Sequence, residues 1–216
     1  MISRRPFLLS ILCVAGTLAS PRFAHAEETK LSDSETSDLL EKIGSKRNSV
    51  ARMKAHFSEV RTLGLLASKV QSDGSLMMDR TKNILEWAIE KPDPIVYKMS
   101  PEGLSYKSAA GEGRATNAAP KIANALSDLR SLLGGSISDL RKRYQLSAAR
   151  VSDGGETRYQ IFADARDPTH STFLSFSVTL DSDLITPRHA RLTETKRDFT
   201  EITFSNVHWG GPNDAR

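Results

Sequence analysis

Residues 74–106 read GSLMMDRTKNILEWAIEKPDPIVYKMSPEGLSY, and their periodicity decides the fold. Leu85, Trp87 and Ile89 alternate with Ile84, Glu86 and Ala88. A period of two puts every second side chain on one face of a strand, so this segment reads as a strand with an apolar face. Leu76 and Met78 show the same pattern upstream, and Ile95-Val96-Tyr97 resumes it after Pro92 and Pro94. Proline cannot donate to a sheet ladder, which separates one strand from the next. Ser72-Asp73-Gly74 reads as a turn ahead of the Leu76 strand. Short strands joined by tight turns make an antiparallel meander.

The alternation extends toward the N-terminus, where Met53, Ala55 and Phe57 interleave with Arg52, Lys54 and His56. Before it, the stretch from Glu27 to Ser37 is polar and reads as loose at first. Ser32 and Glu35 have capping-box spacing, and Leu39, Leu40 and Ile43 share a face, which predicts an amphipathic helix over 34–47. On the C-terminal side, Ala109 to Ala119 is small, Gly-containing and without apolar period, and reads as a mobile loop. Ile122, Leu126, Leu129 and Leu133 then fall on one helical face, and Gly134-Gly135 stops that helix. Ser136 and Asp139 can cap a second helix carrying Ile137 and Leu140. Strands return from Tyr144: Tyr159, Ile161 and Ala163 alternate, as do Leu174, Phe176, Val178 and Leu180. A turn at Asp181-Ser182-Asp183 leads to strands over 188–194 and around Ile202-Thr203-Phe204. The expected fold class is α+β: an incomplete antiparallel β-barrel of about ten to eleven strands, closed by helices over an apolar cavity.

Residues 1–26 have the layout of a cleaved export signal. Arg4 and Arg5 form a basic start, an apolar run follows from Phe7 to Leu18, and Ala24-His25-Ala26 offers small residues at the cut. The apolar run is too short for a membrane span. Ser3-Arg4-Arg5-Pro6-Phe7-Leu8 also resembles a twin-arginine signal, so the general and twin-arginine routes both stay open. The expected product is a single soluble domain over 27–216 that acts outside the cytoplasm. Cys13, the only cysteine, leaves with the signal, so the mature chain has no thiol for a disulfide, a thiolate metal site or a nucleophile. Of the 30 lysines and arginines, Arg4, Arg5 and Arg22 also leave; 27 basic side chains then face 26 acidic ones, a balance of +1. That near-neutrality removes the support for nucleic-acid binding.

Chemical motifs are sparse. His56, His170, His189 and His208 are scattered, with no metal-ligand spacing. No nucleophile elbow, P-loop or dinucleotide fingerprint is present, and Gly111-Glu112-Gly113 lacks both the third glycine and the βαβ frame. The expectation is a non-enzyme with no catalytic residue, no metal and no cofactor. What remains is apolar patterning: Phe57, Leu76, Met78, Leu85, Trp87, Ile89, Phe176, Ile202 and Phe204 line the expected inner face, either as an ordinary core under the helices or as the wall of a binding cavity.

The order of these features resembles the LolA-like outer-membrane lipoprotein carriers. The residues that carry the likeness are Phe57 in a strand after a short helix, Gly74-Ser75-Leu76 opening a strand after a turn, Arg80, Leu85-Glu86-Trp87, and Pro92 beyond the tryptophan. Ile95-Val96-Tyr97-Lys98 and Gly103-Leu104-Ser105-Tyr106 follow as a strand pair, and Asp198-Phe199-Thr200-Glu201-Ile202-Thr203-Phe204 resembles the family's closing strand. The resemblance implies a carrier for acyl chains of lipoproteins or lipids and, beside the export signal, places it in a Gram-negative periplasm. It would work as a monomer between an inner-membrane transporter and an outer-membrane receptor. The nine apolar residues above are then the cavity wall, and Arg80, or else Lys82, is the basic residue that holds the lid. The chain departs from the family's Arg-Pro pair at Arg80-Thr81-Lys82, and Leu85 stands where the archetype has an aromatic. Alternatives are a carrier dedicated to a particular lipid or pigment-lipid, or an adaptor that senses lipoproteins.

Overall fold

The computed structural model describes residues 27–64, 68–114, 120–133, 136–153 and 155–211. The expected leader at 1–26, Leu65-Leu66, the end of the expected loop at 115–119 and Gly134-Gly135 lie outside them, as does the side chain of Ile122.

Among the described residues, twelve strands form one antiparallel sheet. They are β1 (Glu27–Lys30), β2 (Arg52–Leu63), β3 (Ser68–Asp79), β4 (Ile84–Lys91), β5 (Ile95–Ser100), β6 (Gly103–Ser108), β7 (Gly111–Arg114), β8 (Tyr144–Asp153), β9 (Glu156–Ala165), β10 (Ser175–Leu180), β11 (Pro187–Thr193) and β12 (Phe199–Gly210). Three helices accompany them: α1 (Asp33–Asn48), α2 (Pro120–Leu133) and α3 (Ile137–Arg143). The strand order is β1-β8-β9-β10-β11-β12-β2-β3-β4-β5-β6-β7. Two meanders thus join where β12 pairs β2, with Phe204 directly opposite Phe57. The sheet is open, with β1 and β7 as its edges, and is not closed into a barrel.

The helix boundaries follow from local chemistry. Ser32 accepts from the Glu35 N–H while the Glu35 carboxylate takes the Ser32 N–H, a complete capping box for α1. Ser136 accepts from the Asp139 N–H at the start of α3, and Arg141, Lys142 and Arg143 sit in its last turn, where the helix dipole favours cations. Leu39, Leu40 and Ile43 of α1, Leu126, Leu129 and Leu133 of α2 and Leu140 of α3 are buried in one core with the apolar face of the sheet. No described helix is long and apolar enough to cross a membrane.

Three expectations need correction. Ser72-Asp73-Gly74 is not a turn and does not open a strand; it lies inside β3. The glycine is there for close approach: a Cβ at 74 would come within 2.0 Å of the Ala88 carbonyl oxygen and 2.6 Å of Phe57 Cζ. Glu27–Lys30 is not loose but pairs with β8, Glu28 opposite Val151 and Thr29 opposite Arg150. The loop expected from Ala109 begins as a hairpin, because Gly111–Arg114 pairs with β6 as the edge strand. These two short edge strands bring the sheet to twelve. Both lack an apolar period, because edge pairing rests on backbone hydrogen bonds rather than on a buried face.

Candidate functional site

The inner face is centred on a stack. Phe57 of β2 and Trp87 of β4 lie with ring centroids 3.9 Å apart at 23°, across the bare backbone of Gly74 on the intervening strand. Leu76 pairs with Ala55 and Trp87, and Met78 with Met53 and Leu85, so each row of the sheet adds apolar side chains to the same face. On the other meander, Phe176 meets Tyr144 edge to face at 4.6 Å. Of the nine residues expected on this wall, Phe57, Leu76, Met78, Leu85, Trp87, Phe176, Ile202 and Phe204 are buried, and Ile89 packs against them half-buried. Between α1, α3 and β8–β10 the side chains close to a void of only about 10 Å³ lined by Leu40, Ile43, Ile137, Leu140, Leu146, Ile161, Phe176 and Val178, with Arg47 also in its wall. There the face is a packed core.

The helices are tied down at polar points. Asp128 of α2 is 2% exposed and accepts a 2.7 Å hydrogen bond from the Tyr144 hydroxyl at the start of β8. Arg143, the last residue of α3, forms an ion pair with the same carboxylate. Burial raises the Asp128 pKa, and the bonds from Tyr144 and Arg143 oppose that shift. Burial and the neighbouring carboxylate push the Tyr144 hydroxyl well above its ordinary value. Arg130 of α2 reaches the Asn83 carbonyl at 3.4 Å, in the turn between β3 and β4.

Of the two expected basic contacts, Arg80 binds the end of α1: its guanidinium donates to the Val50 carbonyl at 3.0 Å and to Asn48 Oδ1 at 3.1 Å. Lys82 is exposed, and its backbone N–H donates to Asp79 Oδ1. Asp79 also accepts from Thr81 and from Arg52 Nε at 3.0 Å, and these bonds, led by the Thr81 hydroxyl, hold its pKa down to about 2 against the cost of burial.

Beside this cluster lies an open cavity of about 400 Å³. Gly44, Arg47 and Asn48 of α1, Met78 and Asp79 of β3, Arg80, Asn83, Ile84, Arg130 of α2, Ser136 and Ile137 line it. Arg47 is 3% exposed, and burial, with the charge of Arg80, lowers its pKa to about 10. Arg47 and Arg130 did not enter the expected site, yet their spacing carried a signal. Arg47 stands four residues after Ile43 and Arg130 four after Leu126, each an arginine on an apolar helical stripe.

No family model matches the chain. No curated protein matches it. Among solved structures it is similar to a LolA superfamily protein from Nitrosomonas europaea, at 10% identity and a TM-score of 0.41 over 83% of this chain and 95% of that one. The Mycobacterium tuberculosis lipoprotein LppX matches at 12% identity and a TM-score of 0.47, over 86% of this chain and 100% of that one. MucB, in its complex with MucA, matches at 14% identity and a TM-score of 0.42, over 83% of this chain and 57% of that one. At these scores the matches identify neither cargo nor activity. A LolA superfamily protein is thus among the solved structures to which the chain is similar.

Proposed function

We propose that the chain is a periplasmic carrier that shelters acyl chains of lipoproteins or lipids against the inner face of its sheet, with α1–α3 as the cover. The observation that supports this most is one continuous apolar face across both meanders, capped by three short helices whose ties at Asp128 and Arg130 are polar. Burying a CH₂ is worth about 0.8 kcal/mol, so acyl chains in water seek such a face strongly. Release must remain possible. An exchange in which acyl chains replace Leu126, Leu129 and Leu133 of α2 against the sheet swaps one apolar contact for another, and so keeps the net affinity moderate. Met53, Met78 and Met99 are buried on the same face and suit this exchange, because methionine repacks readily around different shapes.

On this reading residues 1–26 direct export, 27–216 form the single carrier domain, and Phe57, Leu76, Met78, Leu85, Trp87, Ile89, Phe176, Ile202 and Phe204 contact cargo. Loading from an inner-membrane transporter and delivery to an outer-membrane receptor follow from the resemblance. The test is titration of the purified protein with a fluorescent acyl probe. Saturable uptake that a lipopeptide displaces supports the carrier; absence of uptake refutes it.

A further inference from the structure

Glu59 of β2 stands two positions after Phe57, opposite Ile202 of β12 and Ser72 of β3. Strand alternation puts it on the inner face with Phe57, while Ser58 and Val60 fall on the outer side. It is half-buried and makes no hydrogen bond or ion pair among the described residues. The charges that act on it are Arg61, two positions further on, and Glu194, just after β11. Those two hold each other: Arg61 donates to both carboxylate oxygens of Glu194, at 2.9 and 3.2 Å. Its neighbours on this face across the ladders, Ile202 and Thr200 of β12 and Ser72 and Val70 of β3, carry no charge. Burial raises the Glu59 pKa; Arg61 opposes that shift and Glu194 adds to it.

This end of the inner face meets solvent. Val70, opposite Arg61, is 44% exposed, and Ile89, opposite Gly74, is half-buried. Apolar surface that a ligand can reach therefore lies beside the acid. A purely apolar chain laid there would strip water from the carboxylate and give it nothing in return, which is costly. An ammonium group supplies both opposite charge and hydrogen bonds.

We propose that Glu59 binds the ammonium group of an amphiphilic cargo, whose alkyl tail lies along Val70 and Ile89 on the inner face. This rests on the carrier reading for the tail, and adds the head-group charge that the carrier selects.

Calorimetric titrations near neutral pH compare dodecylammonium with dodecanol, both below their aggregation concentrations. The ammonium should bind at least about tenfold more tightly, as a charge-assisted contact gives. Glu59→Gln should bring that ratio toward unity without weakening dodecanol, and Glu59→Asp should retain part of it. Glu201→Gln should keep it, because Glu201, opposite Val60 and paired with Arg191, lies on the outer side. In the unaltered protein the ratio should also fall as the pH is lowered and Glu59 takes up a proton. That profile tests the proposal even if Glu59→Gln folds poorly. Lysophosphatidylethanolamine and a diacylated lipopeptide with a free amino terminus tell a lipid head from an acylated polypeptide, since N-acetylation should weaken the true cargo. Equal affinity for dodecylammonium and dodecanol, a preference that survives Glu59→Gln, or N-acetylation that weakens neither ligand would overturn the proposal and leave the carrier reading intact. Failure of both alkyl ligands to bind would sink the carrier reading along with it.

Discussion

The Tyr144 hydroxyl donates to Asp128 Oδ2 at 2.7 Å, joining the first residue of β8 to the middle of α2 inside the core. Both residues are buried, at 1% and 2% exposure, so neither can fall back on water. Tyr144→Phe keeps the ring against Phe176 and removes only the donor. It should cost roughly 1.5–3 kcal/mol, the range for a hydrogen bond to a charged group. Urea unfolding of the purified protein measures it, and an unchanged midpoint would show that Arg143 alone holds the carboxylate.

Acid should act on Asp79 in a defined direction. Its native pKa, about 2, lies below the ordinary 3.8, so the native state favours the ionised form. The stability it contributes is present above 3.8 and is lost as the pH falls toward 2. Asp128 has the opposite sign: its native pKa is raised, so its contribution is full below 3.8 and is lost as the pH rises through the native value. Asp79→Asn should therefore flatten the loss of stability between pH 4 and pH 2, read by denaturant midpoints at each pH.

Gly74→Ala places a methyl group 2.0 Å from a backbone oxygen of β4 that cannot move without disturbing the ladder. Overpacking of this kind costs about 1–3 kcal/mol or more. The expected result is a fall in melting temperature with loss of the Phe57–Trp87 stack, visible as a change in tryptophan emission.

Arg80 and Lys82 can be separated by substitution. Arg80→Gln removes donors to Asn48 and Val50 and should lower stability by roughly 1–3 kcal/mol. Lys82→Gln alters an exposed side chain and should stay within about 0.5 kcal/mol. Equal effects in thermal unfolding would contradict the assignment of the structural role to Arg80.

The sequence made the periodic parts of this protein legible and left the rest obscure. Leu85, Trp87 and Ile89 announced β4, and the Ser32–Glu35 pair marked the start of α1, because hydrophobic period and capping are local signals. Gly74 was misleading: in Ser72-Asp73-Gly74 the glycine of a close strand crossing looks the same as the glycine of a turn, and the ring that requires it, Phe57, is on another strand. The β1 pairing with β8 joins residues more than a hundred positions apart and has no apolar pattern to reveal it. At the site, the aromatic and aliphatic wall could be read from alternation. The Asp128–Tyr144–Arg143 cluster could not, since it depends on how α2 and α3 settle on β8.

The most direct measurement of the central claim is mass spectrometry of lipids retained by the protein when it is purified from the periplasm of cells that express it. The account predicts acyl-bearing molecules in stoichiometric amount, released when Trp87→Asp or Leu76→Asp places a charge on the inner face. A protein that is folded, and carries no acyl-bearing molecule even after incubation with membrane lipids, would contradict it.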